Sequence, residues 1–377
     1  MRVLITGANG FIGKNLIAHL AERSDIKVVP YTRSQSIEGL PELLKGVDFV
    51  IHLAGVNRPK DLTEFQRGNV DLTFMLCEAI ANTGKMIPVI YSSSIQAELD
   101  NEYGISKRDA EDALLALEEK HGSPVYIFRL PNVFGKWARP NYNSAVATFC
   151  NNISQGLSIK VNDPAALINL VYIDDVVSAF LALINGQEVE QKYVEVQPQY
   201  QISVGELAAQ LQAFRNSREN LISESVGTGL VRALYSTYVS YLTPGQFSYE
   251  VPKFGDPRGV FVEMLKTKDA GQFSYFTAYP GITRGGHYHH SKTEKFLVIK
   301  GEACFRFRHI CTGEFYEQFT SGDKPEIVET VTGWTHDITN VGDEEMIVML
   351  WANEIFDREK PDTYTKSLGK QPEIYGI

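Results

Sequence analysis

The sequence predicts two parts of different class, a doubly wound parallel α/β sheet followed by an all-β sandwich or small barrel. Up to about residue 240, short apolar runs alternate with helix-like periodic segments, which is typical of a parallel sheet covered on both faces. From about residue 256, short alternating strands with glycine turns replace that pattern. The length of 377 residues also exceeds the size at which one hydrophobic core usually stops growing.

The predicted elements follow from these runs. In the first part we predict buried strands at residues 2–6, 27–31, 48–55, 88–93 and 124–130, and helices at 16–23 and 110–120. In the second part we predict strands at residues 259–267, 271–280, 295–309 and 346–353. Closely spaced proline and glycine residues predict a linker at 244–255, so the predicted domains are residues 1–243 and 256–377.

Composition excludes several classes of partner. The net charge is −10 and no run of lysine or arginine is present, which argues against a nucleic-acid groove and against an anionic membrane. No apolar run approaches the length of a membrane span. The cysteines Cys77, Cys150, Cys304 and Cys311 lack the spacing of a metal knuckle and are expected to be reduced thiols. We therefore expect a cytoplasmic protein with small or phosphorylated ligands.

A glycine pattern lies at the first predicted strand-to-helix turn. The sequence RVLITGANGFIGKNL has the spacing G-x-x-G-x-x-G. The first two glycines let the backbone approach a pyrophosphate, the third lets the helix pack closely on the strand, and the helix N-terminus offers N–H groups to the phosphates. This Rossmann-type turn predicts a dinucleotide cofactor at Gly7, Asn9, Gly10, Phe11, Ile12 and Gly13.

The end of the second predicted strand bears on the choice of cofactor. A cofactor without a 2′-phosphate normally meets an aspartate there, which binds the ribose hydroxyls. Here the strand KVVPY is followed by Thr32 and Arg33. A guanidinium can bind a phosphate through two hydrogen bonds, so Arg33 favours NADPH over NADH. The alternative is an ordinary exposed arginine on a loop.

The motifs of residues 1–240 resemble the short-chain dehydrogenase/reductase superfamily, in its extended branch that acts on nucleotide sugars. The segments are TGANGFIG, HLAG at 52–55, NV at 69–70, SSS at 92–94, YGISK at 103–107 and RLPNVFG at 129–135. The resemblance implies a catalytic set of Ser94, Tyr103 and Lys107, in which Tyr103 donates a proton to a ketone oxygen. It also implies cofactor contacts at Leu53, Ala54, Gly55, Asn69, Tyr103 and Lys107.

The implied catalytic roles agree with simple acid-base chemistry. A free tyrosine, with a pKa of about 10, is a poor acid at neutral pH, and a lysine at i+4 on a helix is placed to lower that pKa. The resemblance gives this role to Lys107, together with binding of the nicotinamide ribose, and it gives Ser94 a hydrogen bond to the ketone oxygen. Only eight residues separate Ser94 from Tyr103, fewer than extended relatives usually have. We therefore expect a shallower pocket, and Ser93 is an alternative to Ser94.

The second part holds three histidines and a glutamate in GITRGGHYHHSKTEKFLVIKG, residues 281–301. On a strand, His287 and His289 point to the same face because side chains alternate. Glu294 follows after a turn, and His336 lies on a later strand in GWTHDITN. Three imidazoles and a carboxylate suit Zn²⁺, Fe²⁺, Mn²⁺ or Ni²⁺. We predict one divalent metal at these four residues, with Zn²⁺ as first choice because four protein ligands suit a closed structural ion.

This spacing is similar to the motifs of the cupin family. Residues 281–301 follow G-x5-H-x-H-x4-E-x6-G, and residues 333–340 follow the second motif, G-x2-H-x3-N, although Val331 replaces the family's proline. The resemblance covers residues 256–358 and implies a cupin barrel. Some cupins have lost their metal, so histidines that serve as core or catalytic groups are the alternative.

A reductase followed by a metal cupin resembles bifunctional enzymes of capsular polysaccharide precursor synthesis. Further segments that carry this resemblance are HLAGVNRP, SSSIQA, FGKWARPNYNS, LYSTYVSYL at 234–242 and NEIFDREKPDTY at 353–364. It implies a UDP-activated 2-acetamido-2,6-dideoxy-4-keto-hexose as substrate, C3 epimerisation by the cupin, and then NADPH-dependent C4 reduction by the reductase domain. The implied product is a UDP-N-acetyl-6-deoxy-talosamine precursor of UDP-N-acetyl-L-fucosamine, for capsule or O-antigen.

Other functions stay open at this point. In one, the chain is a simple nucleotide-sugar 4-ketoreductase whose cupin is a dimerisation or sensing module. In another, it is a non-catalytic NADPH sensor, which the Ser-Tyr-Lys set argues against because a sensor needs no proton donor. No motif identifies the epimerase base, for which His290, Lys292 and His309 are candidates. We expect a homodimer.

Overall fold

The computed structural model describes residues 1–256, 259–262, 265–267, 271–354 and 359–369. The chain forms two compact units: unit 1 comprises residues 1–145 and 167–202, and unit 2 comprises residues 146–166 and 203–377. These units divide the chain differently from the predicted domain boundaries at 243 and 256, which stay a prediction. Residues 263–264 of the predicted strand 259–267 and the predicted domain's last residues, 370–377, lie outside the described residues.

The helices and strands alternate in unit 1, whereas strands dominate the later part of unit 2. The helices are α1 Phe11–Leu20, α2 Leu40–Leu43, α3 Thr63–Phe65, α4 Leu72–Ala81, α5 Glu102–His121, α6 Ala145–Ser154, α7 Ile173–Ile184, α8 Val204–Asn220 and α9 Gly229–Val239. The strands up to the start of the second predicted part are β1 Arg2–Thr6, β2 Lys27–Tyr31, β3 Phe49–His52, β4 Val89–Ser94, β5 Val125–Leu130, β6 Asn132–Phe134, β7 Leu167–Tyr172, β8 Gln199–Ser203, β9 Ile222–Ser223, β10 Ser248–Glu250 and β11 Lys253–Asp256. The later strands are β12 Gly259–Val262, β13 Lys266–Thr267, β14 Gln272–Ala278, β15 Thr283–Tyr288, β16 Glu294–Lys300, β17 Glu302–His309, β18 Phe315–Ser321, β19 Glu326–Glu329, β20 Trp334–Asn340, β21 Met346–Ala352 and β22 Tyr364–Thr365.

A five-stranded parallel sheet with the order β2-β1-β3-β4-β5 forms the centre of unit 1. Residues 3–5 of β1 and all of β3 are buried, as expected for strands covered on both faces. The predicted parallel α/β class is therefore confirmed, and β3 is shorter than the predicted strand 48–55. A smaller sheet has the order β6-β7-β8.

Helix α5 carries the YGISK motif, and its ends explain its position. The Asn101 side chain accepts a hydrogen bond from Gly104 N at 2.8 Å, which caps the first turn. Gly122 ends the helix with a φ of +71°, a conformation that glycine adopts without steric penalty. In the part of the chain that is described, none of the helices is both long and apolar enough to span a membrane.

Two five-stranded antiparallel sheets form the β part of unit 2. Their orders are β10-β19-β16-β21-β14 and β18-β17-β20-β15-β22, and Phe296 and Phe305 from the two sheets pack with ring centroids 5.5 Å apart. Among the described residues, no ladder of hydrogen bonds joins the two sheets. Of the predicted alternatives, a sandwich or a small barrel, the sandwich is therefore observed there, and the cupin barrel that the resemblance implies is not confirmed. Part of the predicted linker, Ser248–Glu250, is strand β10 of this unit.

A buried charged cluster holds helices α8 and α9 to the sheets of unit 2. The Glu329 carboxylate accepts hydrogen bonds from Arg218 Nη1 at 2.9 Å, from Lys295 Nζ at 2.6 Å and from the Tyr235 hydroxyl. Burial works to lower the pKa of Lys295, but the Glu329 carboxylate outweighs it and the pKa lies well above its ordinary value. Removing one partner of a buried ion pair typically costs about 3–5 kcal/mol. The two helices are therefore an integral part of unit 2.

Candidate active site and candidate metal centre

A cavity of about 680 Å³ opens at the carboxyl ends of the parallel strands of unit 1. The chain leaves β1 toward β2 on one side and resumes at β3 on the other, and parallel α/β sheets bind ligands at such a switch point. The predicted site residues that line this cavity are Gly7, Asn9, Gly10, Phe11, Ile12, Gly13, Arg33, Leu53, Gly55, Ser94, Tyr103 and Lys107.

The glycine turn after β1 is closely packed, and this explains two of its glycines. Gly7 has a φ of +67°, and a Cβ there would lie 2.7 Å from Ala54 N. A Cβ on Gly13 would lie 2.5 Å from the Gly7 carbonyl oxygen. Helix α1 then begins without a side-chain cap on its first N–H groups. The turn can therefore present backbone donors to a phosphate.

Two predicted cofactor residues, Ala54 and Asn69, support the cavity instead of lining it. Ala54 N donates to Thr6 Oγ1 at 3.1 Å. Asn69, which is 1% exposed, accepts from Val56 N at 2.7 Å, and its Nδ2 donates to Val56 O at 3.0 Å and to Ser106 Oγ at 2.9 Å. Both residues thus fix the loop that follows β3.

The two candidate serines make different contacts. The Ser93 hydroxyl donates to Glu111, a buried carboxylate that Arg129 also binds at 2.6 Å. Ser94 Oγ accepts from Gln96 N at 3.2 Å and shares a hydrogen bond with Tyr103. Ser94 therefore adjoins Tyr103, whereas the Ser93 hydroxyl is engaged by Glu111.

The pKa of Tyr103 lies above its ordinary value, and the predicted lowering of this pKa by Lys107 stays a prediction. Burial raises the pKa of Tyr103 above its ordinary value, the hydrogen bond with Ser94 works to lower it, and Tyr142 adds to the increase. The phenol is therefore protonated at neutral pH and is ready to donate.

Lys107 is buried beside the cavity and makes contacts of its own. Its Nζ donates to the Ser92 carbonyl at 2.7 Å and lies 4.3 Å from the centre of the Tyr91 ring. Burial lowers the pKa of Lys107 to about 7, and the Glu111 carboxylate opposes that shift. The ammonium form of this side chain is thus less favoured than in an exposed lysine.

The cavity is basic although the whole chain is acidic. Its lining includes Lys14, Arg33, Lys107 and Arg139, and none of its described lining residues is an aspartate or glutamate. Arg33 is exposed, and no described side chain or carbonyl binds its guanidinium. These charges suit a ligand that carries several phosphates.

One wall of the cavity was not predicted from the sequence. It comes from residues 130–133, where β5 ends and β6 begins, and from residues 137–139 and 142–144 in the loop before α6. Two residues of that loop, Trp137 and Asn141, have φ values of +69° and +54°, which non-glycine residues adopt rarely and at some energetic cost. Segments RLPNVFG and FGKWARPNYNS contributed to the family resemblance, but no motif within them indicated a wall of this cavity.

In unit 2 the structure brings the four predicted metal ligands together. His287 on β15 pairs in register with His336 on β20, Glu294 begins β16, and His289 follows the end of β15. One ligand atom from each of the four lies within 4.8 Å of the others. Glu294 Oε2 lies 3.2 Å from His289 Nε2 and 3.5 Å from His336 Nε2.

The donor set fits a cation. His289 Nδ1 faces the carbonyl oxygen of Asp362, which can only accept, so Nδ1 carries the proton. In the neutral ring the lone pair of Nε2 then faces the Glu294 carboxylate, and two acceptors at this distance require a proton or a metal ion between them. Nε2 of buried His336 faces the same Glu294 carboxylate oxygen at 3.5 Å. Burial lowers the pKa of His287 to about 3, which keeps that imidazole neutral, as metal ligation requires.

A smaller cavity of about 160 Å³ adjoins this cluster, and polar side chains of Arg284 and Asp337 line it beside the ligands. As the described residues form it, this cavity is not lined by the candidate bases His290, Lys292 and His309. Lys292 Nζ lies 2.7 Å from Glu294 Oε1, and His309 Nδ1 accepts the backbone N–H of Cys311 at 3.1 Å. Their contacts therefore do not single out a base.

Two family descriptions match the chain. The NAD dependent epimerase/dehydratase family matches residues 3–196, and the polysaccharide biosynthesis C-terminal domain matches residues 254–364. A UDP-glucuronic acid 4-epimerase from Bacillus cereus is 21% identical, covers 56% of this chain and 83% of its own, and has a TM-score of 0.51, a likeness of fold alone.

More similar proteins cover nearly the whole chain. A UDP-2-acetamido-2,6-beta-L-arabino-hexul-4-ose reductase of Pseudomonas aeruginosa is 65% identical over 370 residues, which are 98% of this chain and 100% of that protein. The capsular polysaccharide assembling protein CapF from Staphylococcus aureus is 41% identical, with a TM-score of 0.67 over 97% of this chain and 100% of its own. The chain therefore belongs to the NAD-dependent epimerase/dehydratase family, in the group that includes this reductase and CapF and that ends in a polysaccharide biosynthesis C-terminal domain.

Proposed function

We propose that this protein reduces C4 of a UDP-activated 4-keto sugar with NADPH and epimerises C3 of the same sugar beforehand. The observation that carries the reductase assignment is Tyr103, protonated and hydrogen-bonded to Ser94, on the wall of a basic cavity that Lys107 also lines. The epimerase assignment is carried by the second cavity, next to the histidine and glutamate cluster of unit 2.

The substrate class comes from the relatives. The Pseudomonas reductase is named for a UDP-2-acetamido-2,6-beta-L-arabino-hexul-4-ose and matches 98% of this chain. We infer that this chain acts on a UDP-2-acetamido-2,6-dideoxy-4-keto-hexose. The product would be a UDP-N-acetyl-6-deoxy-talosamine, a precursor of UDP-N-acetyl-L-fucosamine for capsule or O-antigen.

The cofactor assignment rests on the glycine turn and on Arg33. The uncapped N–H groups of α1 suit the pyrophosphate, and the free guanidinium of Arg33 suits a 2′-phosphate. When bound, NADPH supplies the hydride that C4 receives.

The side chains of the cavity in unit 1 then supply the proton that the C4 oxygen receives. Tyr103 donates its phenolic proton to the oxygen of C4, and the Ser94 hydroxyl donates a hydrogen bond to that oxygen as its negative charge develops. The ammonium form of Lys107, one helical turn further along α5, stabilises the tyrosinate that remains.

Epimerisation needs few functional groups and no hydride, because the ketone at C4 makes the hydrogen at C3 acidic. A base, a proton donor and a group that stabilises the enolate are sufficient. Reduction at C4 removes the ketone and so fixes the configuration at C3. Reactivity itself therefore enforces the order of the two steps.

We further propose that residues 256–377 form a cupin in which His287, His289, Glu294 and His336 bind one divalent metal, with Zn²⁺ as first choice. The close approach of Glu294 Oε2 to Nε2 of His289 and Nε2 of His336, together with the convergence of the four ligand atoms, supports this assignment. When bound, the ion supplies positive charge beside the smaller cavity. We also propose a homodimer, for which light scattering should give twice the mass of the chain.

An NMR time course in D₂O tests the two activities separately. Without NADPH, the protein should exchange deuterium into C3 of the UDP-4-keto sugar, and with NADPH the 4-hydroxy product should appear with deuterium at C3. The variant Tyr103→Phe is the matched control, since it should keep C3 exchange and lose reduction. Reduction without C3 exchange would instead show a simple 4-ketoreductase whose second unit serves dimerisation or sensing.

Elemental analysis tests the metal. Protein purified without chelators should contain about one equivalent per chain. His336→Ala should lose the ion and lower the unfolding temperature of unit 2, while reduction by unit 1 persists. His309→Ala, a histidine of the same unit outside the cluster, is the control and should keep the ion. A parent protein free of metal would refute the site.

A further inference from the structure

Asp362, which lies after the last long strand of unit 2, has no role in the proposed ligand set. Its carboxylate accepts four hydrogen bonds from one short stretch of chain. Oδ1 accepts from His290 N at 2.9 Å, and Oδ2 accepts from Ser291 N at 2.7 Å, Ser291 Oγ at 3.0 Å and Lys292 N at 2.7 Å.

These bonds hold the turn between two proposed ligands. Strand β15 ends at Tyr288 and β16 begins at Glu294, so residues 290–292 lie outside the strand ladders. Three successive N–H groups that converge on one carboxylate form an anion-binding concavity. The Asp362 carboxylate thus accepts the backbone N–H groups of this turn, as the carbonyls of a neighbouring strand would within a sheet. The turn in its place sets the separation of His289 from Glu294.

Asp362 also contacts a proposed ligand directly. Its backbone carbonyl accepts the Nδ1 proton of His289, which leaves the Nε2 lone pair directed at Glu294 Oε2, 3.2 Å away. A hydrogen bond of this kind to the far nitrogen of a histidine ligand fixes its tautomer and the orientation of its ring. The side chain and the main chain of one residue therefore act on the same ligand.

We propose that Asp362 is a positioning residue of the metal centre, which holds the 290–292 turn through its carboxylate and the His289 tautomer through its carbonyl. This inference rests on the proposed metal site. Asp362 is not itself a ligand, since its carboxylate oxygens are occupied by the turn and it lies outside the ligand group.

The test compares Asp362→Asn with Asp343→Asn, the same change at an exposed position in the turn between β20 and β21. Zn²⁺ affinity is measured for both full-length variants and the parent by competition with a chromophoric chelator. Changes in the partners of metal ligands typically weaken metal binding by about 10–100-fold, so we expect this loss for Asp362→Asn and none for Asp343→Asn. The visible absorption spectrum of the Co²⁺-loaded proteins should change only for Asp362→Asn, because that spectrum reports ligand geometry.

Each outcome of these measurements supports or refutes the proposed role of Asp362. Parent-like Zn²⁺ affinity and Co²⁺ spectrum in Asp362→Asn would overturn the positioning role while leaving the metal site intact. A parent that binds neither ion would overturn the metal site and this inference together. If Asp362→Asn does not fold, Asp362→Glu replaces it, since it keeps the charge and displaces it by one methylene. Weakened binding in a folded Asp362→Glu supports the role, and unchanged binding refutes it.

Discussion

The two candidate sites differ in how the chain assembles them. In unit 1, Ser94 ends β4 and Tyr103 and Lys107 lie on the first turns of α5, so one continuous stretch supplies the proposed catalytic set. In unit 2, the proposed ligands come from β15, β16 and β20 and their neighbouring turn, and Asp362 comes from beyond β21. A local site depends on helical spacing, whereas a dispersed site depends on strand register.

Because of this difference, we expect substitutions at the two sites to affect activity and stability to different degrees. The proposed catalytic side chains of Ser94 and Tyr103 line an open cavity, so each can be changed without removing a partner of a buried ion pair. The ligands of unit 2 are largely buried and contact one another, so a change there should alter metal content and stability together. The predictions below test the first half of this comparison, from the largest expected effect to the smallest.

The variant Tyr103→Phe should lose reduction. It removes the proton donor and keeps the ring, so turnover should fall about 10²–10⁴-fold, the usual contribution of a positioned general acid. NADPH binding, followed by fluorescence, should stay close to that of the parent. Tyr142→Phe, the same change at another tyrosine of the cavity, is the control and should retain most of the turnover. Near-parental activity in Tyr103→Phe would refute the assignment.

Ser94→Ala and Ser93→Ala should have opposite consequences. Ser94→Ala removes a donor to the developing oxyanion and should lower kcat about 10²-fold or more, with little change in stability. Ser93→Ala takes a hydrogen bond from buried Glu111, so it should lower the free energy of unfolding by about 1–3 kcal/mol and leave kcat nearly unchanged. Steady-state kinetics and urea unfolding measure the two effects. The reverse pattern would move the catalytic role to Ser93.

Arg33→Ala should separate the two cofactors. Loss of a charge-assisted hydrogen bond to the 2′-phosphate should weaken NADPH binding by about 1.5–3 kcal/mol, or about 10–150-fold. NADH lacks that phosphate and serves as the internal control, so its Kd should change little. Equal losses for both cofactors would show that Arg33 has a structural role.

The pH dependence should follow Lys107. Its pKa of about 7 means that it is charged below neutral pH and neutral above it, and only the charged form stabilises a tyrosinate. We expect kcat/KM for reduction to fall by about tenfold per pH unit above pH 7. Lys107→Arg keeps its charge over this range and should flatten the profile, even if its rate is lower. An unchanged fall in Lys107→Arg would assign the titration to another group.

Local patterns carried most of what the sequence could predict. The parallel strands of unit 1 and the glycine turn could be predicted because each depends on residues close in sequence, such as Gly13 packing on Gly7. The same holds for strand alternation and the spacing between His287 and His289. The sequence therefore indicated the fold class and both candidate sites before any contact between distant segments was known.

Features that depend on tertiary contacts could not be predicted from the sequence. Burial decides the pKa of Tyr103, and no spacing rule reports burial. Arg139 reaches the cavity through a loop with unusual φ values, and Asp362 reaches His289 from more than seventy residues away. The family resemblance implied cofactor contacts for Ala54 and Asn69, which stay a prediction, but it did not indicate their hydrogen bonds to Thr6 and Val56.

The division of the chain into units has a consequence for protein synthesis. Residues 146–166 belong to unit 2 but leave the ribosome before any of residues 203–377. Helices α8 and α9 likewise emerge before β16 and β19. Arg218 and Tyr235 are therefore synthesised before the Glu329 carboxylate to which they bind in the folded protein. Domains tend to fold in order of synthesis, and apolar surface exposed in the meantime favours aggregation. Unit 1 can be complete once residue 202 has emerged, but the nascent chain must keep two segments of unit 2 unpacked until the later strands arrive.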